Sequence, residues 1–148
     1  MNSLDFSQPI EILLVEDNPG DVDLIMDAFN DGRIVNHLNV VEDGGRALAF
    51  LRREDPFGHV PRPDLILLDL NLPGIDGFEV LTEIKRDETL RRIPVVVLTT
   101  STADKDILKS YDLRANAYVA KPLEINDFIN AIRSIENFWL TLVKFPRE

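Results

Sequence analysis

The chain has 148 residues, enough for one domain with a sizeable buried core and too few for a second, output-type domain beside it. Its 26 acidic and 16 basic residues give a formal charge of −10, which opposes direct binding to nucleic acid or anionic lipid and favours cationic partners or metal ions. There is no cysteine, which excludes disulfides, thiolate zinc sites and cysteine nucleophiles, and no apolar run approaches the roughly 20 residues that span a bilayer. The N-terminal MNSLDFSQP lacks the basic start and apolar core of a secretion signal, so a soluble, cytoplasmic protein without a membrane partner is expected, with residues 1–9 as an extension.

The first apolar run of strand length is IEILLV, Ile10 to Val15, and it ends in Glu16-Asp17. A helical pattern follows, VDLIMDAF, with Val22, Ile25, Met26 and Phe29 on one stripe. LNVV, Leu38 to Val41, is the second run. Beyond it, RREDPFGHVPRP, Arg52 to Pro63, holds three prolines and a glycine and reads as an ordered surface loop rather than a helix. LILL, Leu65 to Leu68, stops on Asp69, and FEVLTEIK after it carries Phe78, Leu81 and Ile84 at helical spacing. VVVL, Val95 to Leu98, ends in Thr99-Thr100. AYVA, Ala117 to Ala120, ends in Lys121-Pro122, and a last helix starts near Glu124 and runs toward Phe145. The alternation is βα repeated five times. Several runs lack polar alternation, which predicts strands buried on both faces: a parallel α/β sheet with helices on either side.

In such a sheet, ligands sit outside the carboxyl ends of the strands where the strand order reverses. The sequence places there Glu16, Asp17 and Asp69, the Thr99 hydroxyl and the Lys121 ammonium. Three neighbouring carboxylates repel one another and are stable together when a cation lies between them. All-oxygen ligands suit Mg2+, which is held at about 2.0–2.1 Å by one or two carboxylates plus waters and phosphate oxygens. One oxygen of Asp69 can then ligate metal while the other attacks a phosphoryl group. Lys121 would neutralise the developing charge, Thr99 would donate a hydrogen bond, and the Asn71 backbone carbonyl would complete the metal shell. Each residue also has a plainer explanation. EDNPGD is good turn and helix-cap chemistry, Thr99 suits a strand, and Lys121 suits a surface. The argument rests on their convergence at one edge.

ILLVEDNPGD, DLILLDLNLPGIDGFEVL, IPVVVLTTS and ANAYVAKPL resemble, in order and spacing, the four signature blocks of response-regulator receiver domains, from about Ile10 to Ala131. The resemblance implies a flavodoxin- or CheY-like doubly wound (βα)5 fold, with five parallel strands in the order 2-1-3-4-5, over residues 10–148. It implies Asp69 as phosphoacceptor, Glu16 and Asp17 as the acidic pair organising Mg2+, and Lys121 as the phosphoryl contact. Thr99 would be the switch hydroxyl, Tyr118 the aromatic that changes rotamer with it, and Lys121-Pro122 a cis peptide. It implies a protein that takes a phosphoryl group from a sensor histidine kinase and signals by changing shape, catalysing only its own phosphorylation and dephosphorylation. The loop REDPFGHVPRPDLILLDLNLPG and the tail FWLTLVKFP resemble a subset of stand-alone receivers that includes partners of bacterial phytochrome-type kinases.

Other functions fit less well. Haloacid-dehalogenase-type phosphatases need a second acid two residues after the nucleophile, where this chain has Asn71. A flavodoxin-like electron carrier needs a hydroxyl-rich phosphate loop, where this chain has EDNPGD. A pure interaction module has no need of the acid, hydroxyl and lysine set. In the tail, Ile125, Phe128, Ile129, Ile132, Ile135, Phe138, Trp139 and Leu142 form an apolar stripe of about five turns. That is longer than one helix on its own sheet usually needs. A homodimer built on this C-terminal helix is the expected cover, with folding of the tail over its own domain as the alternative.

Overall fold

The structure, a computed structural model, describes residues 9–31, 35–99, 117–121, 126 and 130. Five parallel strands, β1 (Ile10–Val15), β2 (Asn36–Val41), β3 (Leu65–Asp69), β4 (Val95–Thr99) and β5 (Ala117–Ala120), form one sheet in the order β2-β1-β3-β4-β5. The described helices are α1 (Pro19–Asn30), α2 (Gly44–Arg52) and α3 (Gly77–Arg86), with a turn of 3-10 helix at Leu90–Arg92. The five runs read from the sequence are the five strands. β2 starts two residues before its apolar run, at Asn36 and His37, because an edge strand with one open side tolerates polar side chains.

Successive strand residues point to opposite faces. On one face Leu13, Val15, Ile66, Leu68, Val95 and Val97 pack with Ala47, Leu48 and Leu51 of α2 and Val80, Leu81 and Ile84 of α3. The residues between them, Ile12, Leu14, Leu65, Leu67, Val96 and Leu98, are also buried, so the sheet is covered on both sides. On α1 the buried side chains are Ile25, Ala28 and Phe29. Met26, expected on that stripe, is 40% exposed, because the buried arc centres on Ile25 and Phe29 and leaves Met26 at its rim.

Arg52 closes α2, so the irregular segment begins one residue later than expected, at Arg53, which takes the left-handed conformation at φ 55°. The segment is tied down by Phe57 and Val60, which pack on the core, with the Phe57 ring 5.4 Å from that of Phe50. The Asp55–Pro56 peptide is cis. The cis peptide expected at Pro122 and most of the expected C-terminal helix lie outside the described residues, of which 126 and 130 are helical.

Candidate functional site

Strand register brings the acids together. Val15 pairs with Leu68 and Asp69 with Leu98, so Glu16, the residue after β1, lies in the same row as Asp69 on β3. Asp69 is 2% exposed and Glu16 0%, whereas Asp17, one step further, is exposed. One oxygen each from Glu16, Asp17 and Asp69 lie within 4.8 Å of one another.

Lys121 arrives from the far side. It follows Ala120, which pairs with Thr99, so it starts beyond the row of Asp69 and two strands away from it. Two strand spacings are about 9–10 Å, a gap that requires a long side chain. The ammonium ends 3.2 Å from Asp69 Oδ2, 2.7 Å from Glu16 Oε1 and 3.0 Å from Asp21 Oδ2. Its side chain is 9% exposed, so the charge is matched by carboxylates instead of water.

The remaining polar atoms of the site are held by its turns. Asp69 Oδ1 accepts the Asn71 N–H at 3.0 Å, which fixes the carboxylate plane and places the Asn71 backbone beside it. Glu16 Oε2 accepts the Asn18 N–H at 3.2 Å, and Asn18 Oδ1 accepts the Asp21 N–H at 3.0 Å, capping α1 ahead of Pro19. The helix cap is thus Asn18, not either acid of the pair. Gly77, at the start of α3, is required by close approach, because a Cβ there would meet the Leu70 backbone and the Asp69 carbonyl oxygen. That contact seats the loop after Asp69 directly on α3.

Burial pushes the Glu16 carboxyl from 4.5 up to about 7, and the charge of Asp69 adds to this while Lys121 opposes it. Burial works against the Lys121 ammonium, but Glu16, Asp21 and Asp69 outweigh burial and raise its pKa. Glu16 Oε1 lies close to Lys121 yet accepts no well-directed hydrogen bond among the described residues. A buried carboxylate oxygen in surplus, beside two further acids, is the donor set a hard divalent cation fits.

Glu16, Asp17, Asp69, the Asn71 backbone and Lys121 therefore meet at one edge, as the sequence led us to expect. For Thr99 and Tyr118 the backbone alone is described: Thr99 pairs with Ala120 one row past Asp69, and Tyr118 pairs with Val97. Asp21 was missed. Its signal was its place as the third helical residue after a cap that follows the strand by way of Glu16 and Asp17, which turns the first helical turn toward the sheet edge.

Residues 12–133 match the family described as response regulator receiver domain. Response regulator Rcp1 of Synechocystis sp. is 46% identical over 138 residues, 93% of this chain and 94% of that protein. A probable methanogenesis regulatory protein, FilR2, of Methanothrix harundinacea is 44% identical over 97% of this chain and 92% of its own. The crystal structure of the phosphorylated cyanobacterial phytochrome response regulator RcpA superposes with a TM-score of 0.83 at 46% identity, covering 95% of this chain and all of that one (100%). The Mn2+-bound form of Rcp1 gives 0.82 at 45% identity over 94% and 100% of the two chains. With a family model matched over most of its length and relatives 46% and 44% identical over nearly the whole chain, this chain belongs to the response regulator receiver domain family, and its relatives include phytochrome response regulators.

Proposed function

We propose that this receiver takes a phosphoryl group from a phosphohistidine of a sensor histidine kinase onto Asp69, with Mg2+, and signals through a surface that changes when Asp69 is modified. The observation that carries the reading is the pairing of a three-acid cluster with a single buried ammonium, Lys121, 3.2 Å from Asp69 Oδ2. Glu16, Asp17, Asp69 and the Asn71 carbonyl would hold the cation, which supplies charge neutralisation and polarises the phosphoryl oxygens. The Asn71 N–H holds Asp69 in one orientation, so a carboxylate oxygen faces the incoming phosphorus. The O–P bond to Asp69 forms as the P–N bond breaks, and the imidazole nitrogen leaves with the electron pair and takes a proton. Lys121 balances the charge that builds on the phosphoryl oxygens. The chain catalyses only this transfer to itself and the later hydrolysis of its own aspartyl phosphate.

Thr99 stands one row past Asp69 on the neighbouring strand, a register that supports a hydroxyl reporting on the phosphoryl group, with Tyr118 on β5 following it. We take residues 10–148 as one receiver domain in the cytoplasm after an extension of nine residues; no helix among the described residues is long and apolar enough to cross a membrane. The likeness to Rcp1 and RcpA favours a phytochrome-type kinase as donor. The apolar stripe from Ile125 to Leu142 favours a second copy of this chain as the first output partner, and the charge of −10 argues against DNA.

Mass measurement after acetyl phosphate and Mg2+ tests the central claim. One phosphoryl group should be added to the natural chain and none to Asp69→Asn, because an amide is a poor nucleophile. Retained modification in Asp69→Asn would sink the assignment. Sedimentation of the full chain beside one ending near Asn137 tests the dimer. Two monomers, with and without a phosphoryl analogue, would refute it.

A further inference from the structure

The Lys121 ammonium has three donors, and three carboxylate oxygens surround it: Glu16 at 2.7 Å, Asp21 at 3.0 Å and Asp69 at 3.2 Å. A phosphoryl oxygen that approaches this lysine competes with these carboxylates for its charge. Glu16 and Asp69 belong to the three-acid cluster, so a cation there compensates their charge. Asp21 is outside that cluster, on α1, with its Oδ2 3.0 Å from the lysine.

Its position is built rather than incidental. Glu16 Oε2 holds the Asn18 N–H, Asn18 Oδ1 holds the Asp21 N–H, and Pro19 fixes the first helical residue between them. Two hydrogen bonds link Glu16 to Asp21 through Asn18, and the contacts of both acids with the ammonium close the ring. Asp23, two residues on, carries the same charge but is exposed on the outer side of the helix.

We propose that Asp21 is a positioning residue that holds the Lys121 ammonium in the resting site and competes with the phosphoryl group for it, so that Asp21 sets how tightly the site retains a phosphoryl group. The inference rests on the reading of Asp69 as phosphoacceptor. Removing the charge of Asp21 weakens one of the lysine's contacts and takes a repelling charge away from the phosphoryl oxygens. Both effects favour the loaded state.

The test is calorimetric titration of beryllofluoride, a phosphoryl mimic, into the full chain at saturating Mg2+. Asp21→Asn should bind about fivefold more tightly than the natural chain, the scale of one partly exposed ion pair. Asp21→Glu should stay near the natural value, and Asp23→Asn, which makes the same change in net charge on the same helix, should barely move it. Asn18→Ala frees Asp21 without removing its charge and should shift affinity in the same direction by less, so the proposal stays testable if Asp21→Asn folds poorly. Equal shifts in Asp21→Asn and Asp23→Asn would reduce the effect to net charge and overturn the proposal, as would unchanged or weaker binding in Asp21→Asn. If the natural chain itself binds no beryllofluoride, the phosphoacceptor reading fails and this one falls with it; normal binding with no response to Asp21 sinks only the present inference.

Discussion

At the amino end of the sheet the charged groups are settled by near neighbours. Asp64 Oδ2 accepts the Glu11 N–H at 2.9 Å, which closes the start of β1 against the approach to β3. Glu11 Oε1 meets His37 Nδ1 at 3.0 Å and Asn39 Nδ2 at 3.4 Å, with His37 mostly in water. At the carboxyl end three carboxylates surround one ammonium, Glu16 and Asp69 buried and Asp21 partly exposed, and a fourth acid, Asp17, stands at the rim. The same sheet thus carries acids placed to finish a structure and acids left in surplus for a ligand. The difference shows in cost: an exposed pair near solvent contributes little, whereas a buried group with an incomplete set of partners alters its own protonation.

The largest effect that would sharpen this contrast comes from Lys121→Met. It leaves Glu16, Asp21 and Asp69 without their shared cation, and unfolding in denaturant should show a loss of about 3–5 kcal/mol at pH 8. The loss should shrink at pH 5, where Glu16 is protonated, and Mg2+ should restore much of it by binding the folded state. A loss independent of both pH and Mg2+ would mean that the lysine matters for packing rather than for charge.

Next in size is the pH dependence of the metal site. The Glu16 pKa is raised, from 4.5 to about 7, so in the metal-free protein its contribution to stability is full below its ordinary value and is lost as pH rises through about 7. Mg2+ needs the ionised form and must displace that proton. Its affinity should therefore rise about tenfold from pH 6 to pH 8, with net proton release in calorimetry done in two buffers. A flat affinity would place Glu16 outside the metal shell.

The smallest effect belongs to the amino end. His37→Ala should cost less than about 1 kcal/mol in the same unfolding experiment and should leave the Mg2+ titration unchanged. A larger loss, or any change in metal affinity, would break the division between the two ends.

The strands were legible because burial on both faces demands continuous apolar runs, and IEILLV, LILL and VVVL have no other use at that length. The acids at their ends were legible because a buried strand has no structural reason to stop on Asp69. Packing corrected the finer detail: Met26 has the right character for the core of α1 and lies outside it, because the arc covered by the sheet is narrower than the apolar stripe.

From the sequence alone came the βα alternation, the parallel sheet, and the meeting of Glu16, Asp17, Asp69 and Lys121 at one edge, since strand-end positions follow from chain order once the sheet is parallel. Only the tertiary structure decided what holds the lysine. Asp21 lies 100 residues before Lys121 in the chain, and no local pattern links them. They meet because the Asn18 cap turns the first turn of α1 over the sheet edge while β5 carries Lys121 to it from the other side, a coincidence of two elements that only packing can bring about.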